Sequence, residues 1–426
     1  MRLLLISCRS PFLQDDRIYP PLGLLYLKSA LLREVAEAQV TIVDDYDLDD
    51  LTPLADFDVI GVSVMTPQRA EARRVVRRVK ARWPDKVVVA GGPHVLHYTE
   101  DMEQDPWDYL VRGDGERVLP RIVRGEPVPR ISHEVLPAGE LASMPPPDRL
   151  GEREFLRHYH YRLDGLDATT MLLGRGCPMA CKFCEDARTT TRWTSLANAE
   201  RELSDIVELG YRAVYLFDDL FAINLRRCAP YLELLKAHRL RFRCNVHARF
   251  MNDEFAAALA EAGCVEVAFG AESGSQAMLD RMDKMTTVAQ NYACVEHCKR
   301  HGLTVKAFLM IGLPGETRQT IAETERFLVE SGVDDAQIAI YYPYRGTRFR
   351  REMDEGTIDD LVFEGEGLGA YGQRDLGSDA AVRTPALTSG DLLEIRRSLI
   401  TRHRLRSHLG PHDHFFDQHL TGVLEG

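Results

Sequence analysis

From the start of the chain to about residue 125, short apolar runs alternate with amphipathic stretches. Leu3 to Ser7, Val40 to Asp44, Val59 to Val64, Lys86 to Ala90 and Tyr109 to Val111 have the length and β-branched content of buried strands. Leu22 to Val35 and Arg69 to Trp83 repeat apolar positions at helical spacing, the second with a basic outer face that reads as solvated. This alternation predicts an α/β fold, a doubly wound parallel sheet whose ligands sit beyond the carboxyl ends of its strands. A second alternating stretch begins near Thr170. Its predicted strands are Met171 to Gly174, Ala213 to Phe217, Arg241 to Asn245, Glu266 to Gly270, Val305 to Ile311 and Asp335 to Tyr341. Six βα units of this kind build a partial (βα)₆ barrel of TIM type. The expected organisation is a Rossmann-like domain over residues 1–125, a Pro- and charge-rich linker over 126–165, the partial barrel over 166–345 and a helical cap over 346–426. Asp391 to Arg404 is the clearest helix of that cap.

With 53 basic and 65 acidic residues the net charge is −12, and no dense basic block interleaved with aromatics occurs. Nucleic acid is therefore not an expected partner. The opening Met1-Arg-Leu-Leu-Leu-Ile-Ser-Cys8 has too short an apolar run for a signal peptide or a membrane span. Nine cysteines in a chain this long do not suggest a secreted disulfide scaffold. The expectation is a cytoplasmic protein with no membrane contact.

Three of the cysteines share one loop, Gly174-Arg-Gly-Cys-Pro-Met-Ala-Cys-Lys-Phe-Cys-Glu185, directly after the first predicted barrel strand. Their spacing lets the thiolates of Cys177, Cys181 and Cys184 converge on one face of an iron–sulfur cube and leaves its fourth iron without a protein ligand. Zinc competes, but a structural zinc needs four protein ligands and no second Cys-x-x-Cys or His pair follows. Three packed, reduced thiols are the remaining reading, although buried cysteines rarely crowd into a polar loop containing Gly, Pro and Lys. Among the others, Cys294 and Cys298 lie one helical turn apart and Cys228, Cys244 and Cys264 are scattered. Ordinary burial suits them better than a second cluster.

With Phe183 ahead of its last cysteine, the loop resembles the signature of the radical S-adenosylmethionine (SAM) enzymes. Phe217-Asp-Asp-Leu-Phe221, Phe269-Gly-Ala-Glu-Ser-Gly-Ser275, Ile311-Gly-Leu-Pro-Gly-Glu316 and Tyr342-Pro-Tyr-Arg-Gly-Thr347 extend the resemblance across about residues 166 to 350, each at a predicted strand end. The resemblance implies that Cys177, Cys181 and Cys184 ligate a [4Fe–4S] cluster whose open iron chelates SAM. One electron from an external carrier such as flavodoxin or ferredoxin then cleaves SAM to a 5′-deoxyadenosyl radical. It also implies that the backbone at Phe183 holds the SAM amino group and that Glu272 and Ser273 face its ribose or methionine end. Asp218 would border the same cofactor, and Gly312, Pro314 and Tyr341 its adenine. A plain strand-to-helix turn also explains Gly312 to Gly315, and Asp218 with Asp219 could instead hold a divalent cation, though two carboxylates alone make a poor site.

Pro20-Pro-Leu-Gly-Leu-Leu-Tyr-Leu27, Gly61-Val-Ser-Val-Met-Thr66, Ala90-Gly-Gly-Pro-His94 and Arg112-Gly-Asp-Gly-Glu116 resemble the cobalamin-binding domain that precedes the barrel in one large radical SAM subclass. The implied contacts are Ser63, Met65, Thr66, Gln68 and Arg69 near the lower corrin face. Gly91, Gly92, Pro93 and His94 would lie at the nucleotide tail, with Gly113 and Glu116 at the next strand end. Small residues there let a flat corrin approach the sheet edge, and Gly91-Gly92 frees N–H groups for a phosphate. A flavodoxin-like domain that binds no corrin is the alternative. The Asp-x-His-x-x-Gly pattern that supplies an axial histidine is missing, since Cys8 to Gly23 contains no His. Any cobalamin is thus expected without a protein imidazole below the cobalt. The function implied is a cobalamin-dependent radical SAM enzyme, most simply a C-methyltransferase consuming two SAM per turnover on a small-molecule or natural-product intermediate. Ring contraction, cyclisation or oxidation is the runner-up, and a non-catalytic cluster- or corrin-binding protein the third reading.

Overall fold

The computed structural model describes residues 1–9, 15–44, 46–365 and 380–405. The chain divides into two compact units, the first made of residues 1–160 with 197–205, the second of 161–196 with 206 onward.

In the first unit, β1 (Arg2–Ser7), β2 (Gln39–Val43), β3 (Val59–Ser63), β4 (Val87–Gly91), β5 (Tyr109–Gly113) and β6 (Ile131–Glu134) form one parallel sheet in the order β2-β1-β3-β4-β5-β6. The strands are continuous apolar runs because both faces are covered, and Ile6, Ile60, Val75, Val76, Val79, Val88 and Ala90 are fully buried in the core they share. From β1 the chain first adds β2 on one flank and then returns to place β3 on the other, so the topological switch point lies at the carboxyl ends of β1 and β3.

Within 126–165, expected as a linker, lie β6, a helix over Ala138–Ser143 and the fully buried Arg149. Only Ile131 is strongly apolar in the four residues of β6, too little for a sequence period to register. Arg149 donates from Nε and Nη2 to Glu202 Oε1 at 3.0 and 2.6 Å, and Tyr26 OH donates to Glu202 Oε2 at 2.7 Å. All three belong to the first unit, since Glu202 lies in its 197–205 segment.

The second unit opens with β7 (Arg162–Leu163) hairpinned onto β8 (Leu166–Met171), then a ribbon of β9 (Gly174–Arg175) and β10 (Arg192–Trp193). Five further strands follow: β11 (Ala213–Leu216), β12 (Arg241–Val246), β13 (Cys264–Glu272), β14 (Thr304–Ile311) and β15 (Asp335–Ile340). With β8 they form six parallel strands in the order β15-β14-β13-β12-β11-β8, the partial barrel that was expected. Its first strand lies upstream of the predicted Met171 to Gly174, because Asp167, Thr169 and Thr170 interrupt the apolar run. Helices between the strands begin where Asn224, Asn252, Thr287 and Thr317 cap exposed N–H groups. After the barrel come a helix over Arg348–Asp354, a ribbon of β16 (Val362–Phe363) with β17 (Val382–Arg383), and a helix over Ser389–His403. Residues 366–379 and 406–426 of the expected cap lie outside the described residues. Among the described residues no helix is long and apolar enough to cross a membrane.

Candidate functional site

The cysteine loop leaves β9 at the carboxyl-end mouth of the barrel. Its backbone is held by two adjacent acids from the end of β11: Asp218 accepts from Leu173 N at 3.2 Å and from Gly174 N, and Asp219 accepts from Gly176 N at 2.8 Å. Burial pushes the Asp218 carboxyl up to about 7. Both carboxylates are thereby engaged in shaping the loop. Gly176 adopts φ +95°, and a Cβ there would meet Thr190 O at 2.6 Å, so the turn requires glycine.

Cys181 is buried and Cys177 and Cys184 half-buried, all in one apolar cluster with Met179, Leu220, Ile223, Phe183 and Phe250. Burial raises all three thiols, Cys184 to about 12, with Asp186 and the other two sulfurs adding to its rise. Among the described residues no group of three His, Cys, Asp or Glu side chains closes around a single metal ion. Three thiols on one loop, with no fourth protein ligand beside them in that loop, suit three corners of an iron–sulfur cube whose fourth iron stays open.

A residue that spacing did not single out completes this region. Lys284 Nζ lies 2.8 Å from Glu272 Oε1 and 5.7 Å from the Phe183 ring centroid, with both partners of the ion pair buried. Burial works against its charge, but Glu272 and the neighbouring Cys181 outweigh it and raise the ammonium above its ordinary value. Three non-glycine residues with positive φ surround the pair: Glu272 at 60°, Asp283 at 54° and Met285 at 59°. Glu272 also sits where the β13–β14 register shifts, and such bulges and left-handed residues re-aim side chains at functional sites. The sequence signal was a lysine between Met282 and Met285 in an Arg-rich chain, which periodicity does not weigh.

Other expected contacts reach the same mouth in different capacities. Ser273 Oγ lies 3.0 Å from Thr324 Oγ1 and accepts from Ser275 N at 3.1 Å, so its hydroxyl serves the fold. Gly312 has φ +83°, a left-handed value that favours glycine, and lies close under Leu392 of the Ser389–His403 helix. Pro314 is buried, and Tyr341 is buried edge-on against Phe349 at 5.9 Å. His247, at the end of β12, is pulled down to about 3 by burial and then by Lys284, and its Nδ1 accepts from Arg249 N at 3.2 Å.

In the first unit, Ser7, Ser63 and Gly91 stand side by side at the carboxyl ends of β1, β3 and β4. A Cβ on Gly91 would find its first neighbour at 3.7 Å, so packing within the protein does not demand its small size. Gly92 differs: with φ +102° its Cβ would lie 2.9 Å from Val64 O. At Gly113, φ +81°, a Cβ would strike Glu134 O of β6 at 2.3 Å, and Glu116 is buried. Pro93 starts a short helix over Pro93–His97. His94 is fully buried, its Nδ1 3.3 Å from Thr66 Oγ1, its Nε2 3.2 Å from Asp101 Oδ2, its ring stacked on Tyr98. Burial lowers its affinity for a proton, and the neutral ring is spent inside the unit. An open, small-residue edge at a switch point fits a flat macrocycle.

Comparison with known proteins agrees with both halves. Residues 171–328 match the radical SAM superfamily and residues 16–123 the B12 binding domain. An uncharacterised methyltransferase of Pyrococcus horikoshii is 30% identical over 355 residues, covering 77% of each chain. The anaerobic magnesium-protoporphyrin IX monomethyl ester cyclase of Rubrivivax gelatinosus is 26% identical over 72% of this chain and 60% of its own length. Among solved structures, the cobalamin-dependent SAM radical enzyme OxsB shares the fold with a TM-score of 0.73 at 18% identity, over 95% of this chain and 67% of that one. The fold and its paired sites define an enzyme that works by radical chemistry with an iron–sulfur cluster. The chain belongs to the radical SAM superfamily, in the branch that carries a B12-binding domain, which implies a [4Fe–4S] cluster, SAM and cobalamin as cofactors.

Proposed function

We propose that this enzyme is a C-methyltransferase acting on an unactivated carbon of a small molecule, with Cys177, Cys181 and Cys184 as its cluster ligands. When bound, the reduced cluster supplies the electron that cleaves SAM to a 5′-deoxyadenosyl radical, and cobalamin supplies methyl-carrying capacity. The chain's own residues do the rest. Asp218 and Asp219 fix the cysteine loop, while Met179, Leu220, Ile223 and Phe250 pack around its thiols. Lys284, held by Glu272, sets a positive charge beside three anionic sulfurs, which favours the deprotonated form a metal needs. Residues 1–125 are assigned to cobalamin, 166–345 to the cluster and SAM, 346 onward to a cap, and the electron to an external one-electron carrier such as flavodoxin or ferredoxin.

The observation that carries this reading is the thiol triad at the barrel mouth in a chain that also holds an open-edged doubly wound sheet and is 30% identical to a methyltransferase. Turnover with substrate is expected to give S-adenosylhomocysteine and 5′-deoxyadenosine in near-equal amounts, and methyl-deuterated SAM to label the product. The similarity to a ring-forming cyclase favours a second reading, in which SAM serves only as radical source. Deoxyadenosine without S-adenosylhomocysteine, and no gain of a methyl mass, would select it.

A further inference from the structure

On the reading that carbon methylation takes place at the barrel mouth, we infer that the inner face of the barrel binds the substrate and selects an uncharged aromatic ring system, held by Phe217, Phe308 and Met310 and recognised through hydrogen bonds to Gln337. Strand residues of the barrel alternate between two environments. Cys244, on one face of β12, feels the thiols of Cys228 and Cys298, which belong to the Leu225–Ala237 and Val288–Arg300 helices, so that face lies under helices. Its companions in register there, Val267, Val305 and Ala307, are fully buried. The opposite positions Asn245, Phe308, Met310 and Gln337, with Tyr215 on β11, are only half-buried, and Phe217 just past β11 is 42% exposed. Pairing sets Phe308 between Gly270 and Gln337 and Met310 beside Ala339, which makes this wall continuous across β13, β14 and β15.

The wall rises to the cysteine loop. Asn245 Nδ2 donates to Asp218 O at 2.9 Å, and the Asp218 carboxylate holds the backbone at the root of that loop. Gly270 leaves the space that Lys284 and Glu272 fill, since a Cβ there would meet Lys284 Nζ at 2.6 Å.

Charge along the wall decides what it can hold. Below it Arg243 Nη2 lies 3.0 Å from Glu266 Oε1, and Lys306 stands opposite Asp335 in register; above it Lys284 is paired with Glu272. Between these pairs no inward position of β12 to β15 is ionisable. A charged ligand group would lose its water there and gain no counter-ion, whereas a flat ring packs well on Phe and Met side chains. Of the two carboxamides, that of Asn245 is committed to Asp218 O and to Tyr215 OH, 3.4 Å away. The Gln337 carboxamide makes no hydrogen bond to another described residue, so its donors and acceptor face a ligand.

The test is equilibrium dialysis of naphthalene probes against full-length protein carrying its oxidised cluster, with saturating SAM and no reductant. Neutral naphthamide is expected to bind about tenfold or more tighter than anionic naphthoate or cationic naphthylmethylammonium. Phe308→Ala and Met310→Ala should each weaken it about fivefold. Gln337→Leu should weaken naphthamide about fivefold and spare methylnaphthalene, a split that a misfolded variant would not give. A charged probe bound as tightly as the amide, no binding of any probe, displacement of naphthamide by SAM, or equal losses for both neutral probes in Gln337→Leu overturns the inference. None of these readings needs turnover, so they stand apart from the product ratio that tests methyl transfer.

Discussion

Replacing Lys284 with Met tests whether a buried cation organises the barrel mouth. The substitution preserves length and apolar bulk but strands Glu272, whose side chain is only 9% exposed, without its partner. Removing one member of a buried pair costs about 3–5 kcal/mol, because the remaining charge stays desolvated. Losing the approach to the Phe183 ring adds about 0.5–1 kcal/mol. With a urea slope of about 2–3 kcal/mol/M, the unfolding midpoint of the second unit in cluster-free protein should fall by about 1–3 M. The double variant Lys284→Met/Glu272→Gln removes both charges and should recover part of that loss, giving a coupling energy of about 1–3 kcal/mol. Taking the cation from beside Cys181 should also raise that thiol further, so alkylation of cluster-free protein near neutral pH should slow. A Lys284→Met midpoint within about 0.3 M of wild type, or a double variant as unstable as the sum of the singles, would refute the reasoning.

Glu316 is buried, which pushes its carboxyl up to about 7. The folded state therefore keeps a proton that the unfolded chain has lost between about pH 4.5 and 7, and stability falls as pH rises through that window. Glu316→Gln should gain on wild type by up to about 3 kcal/mol from pH 4.5 to 7.5; urea midpoints that run parallel across that range would contradict this. Gly92→Ala should cost about 1–3 kcal/mol in thermal unfolding, whereas Gly91→Ala should fold normally and bind cobalamin more weakly by equilibrium dialysis. Cys181→Ala should abolish SAM cleavage and the oxygen-sensitive absorbance of a [4Fe–4S] cluster while leaving the circular dichroism spectrum unchanged.

Much of this architecture is legible in the chain because buried parallel strands are continuous apolar runs. Val59 to Val64 and Val305 to Ile311 announce β3 and β14 within a residue or two. The failures have local causes. Polar side chains at Asp167, Thr169 and Thr170 hide β8, and β6 is too short to show a period. At the site, cysteine spacing gives the thiols, but nothing in it says that Asp218 and Ser273 turn inward to hold backbone and helix. Lys284 is placed by two left-handed residues and a bulge, features of backbone geometry with no compositional mark. Cys244 and Cys264, by contrast, are neighbours only in space, where Cys264 raises the buried Cys244 thiol.

Arg149 and Glu202 carry a lesson about inheritance. Their ion pair belongs wholly to the first unit, yet the acid is encoded after the cysteine loop and the base before it. A gene fragment ending at residue 160 would encode a guanidinium with no exposed surface and without the Glu202 carboxylate that receives two of its hydrogen bonds. Recombination that swaps the front of this protein for another must carry over a compatible acid from the far side of the junction. The module is whole in three dimensions and split in the genome, which couples the ancestry of its two parts.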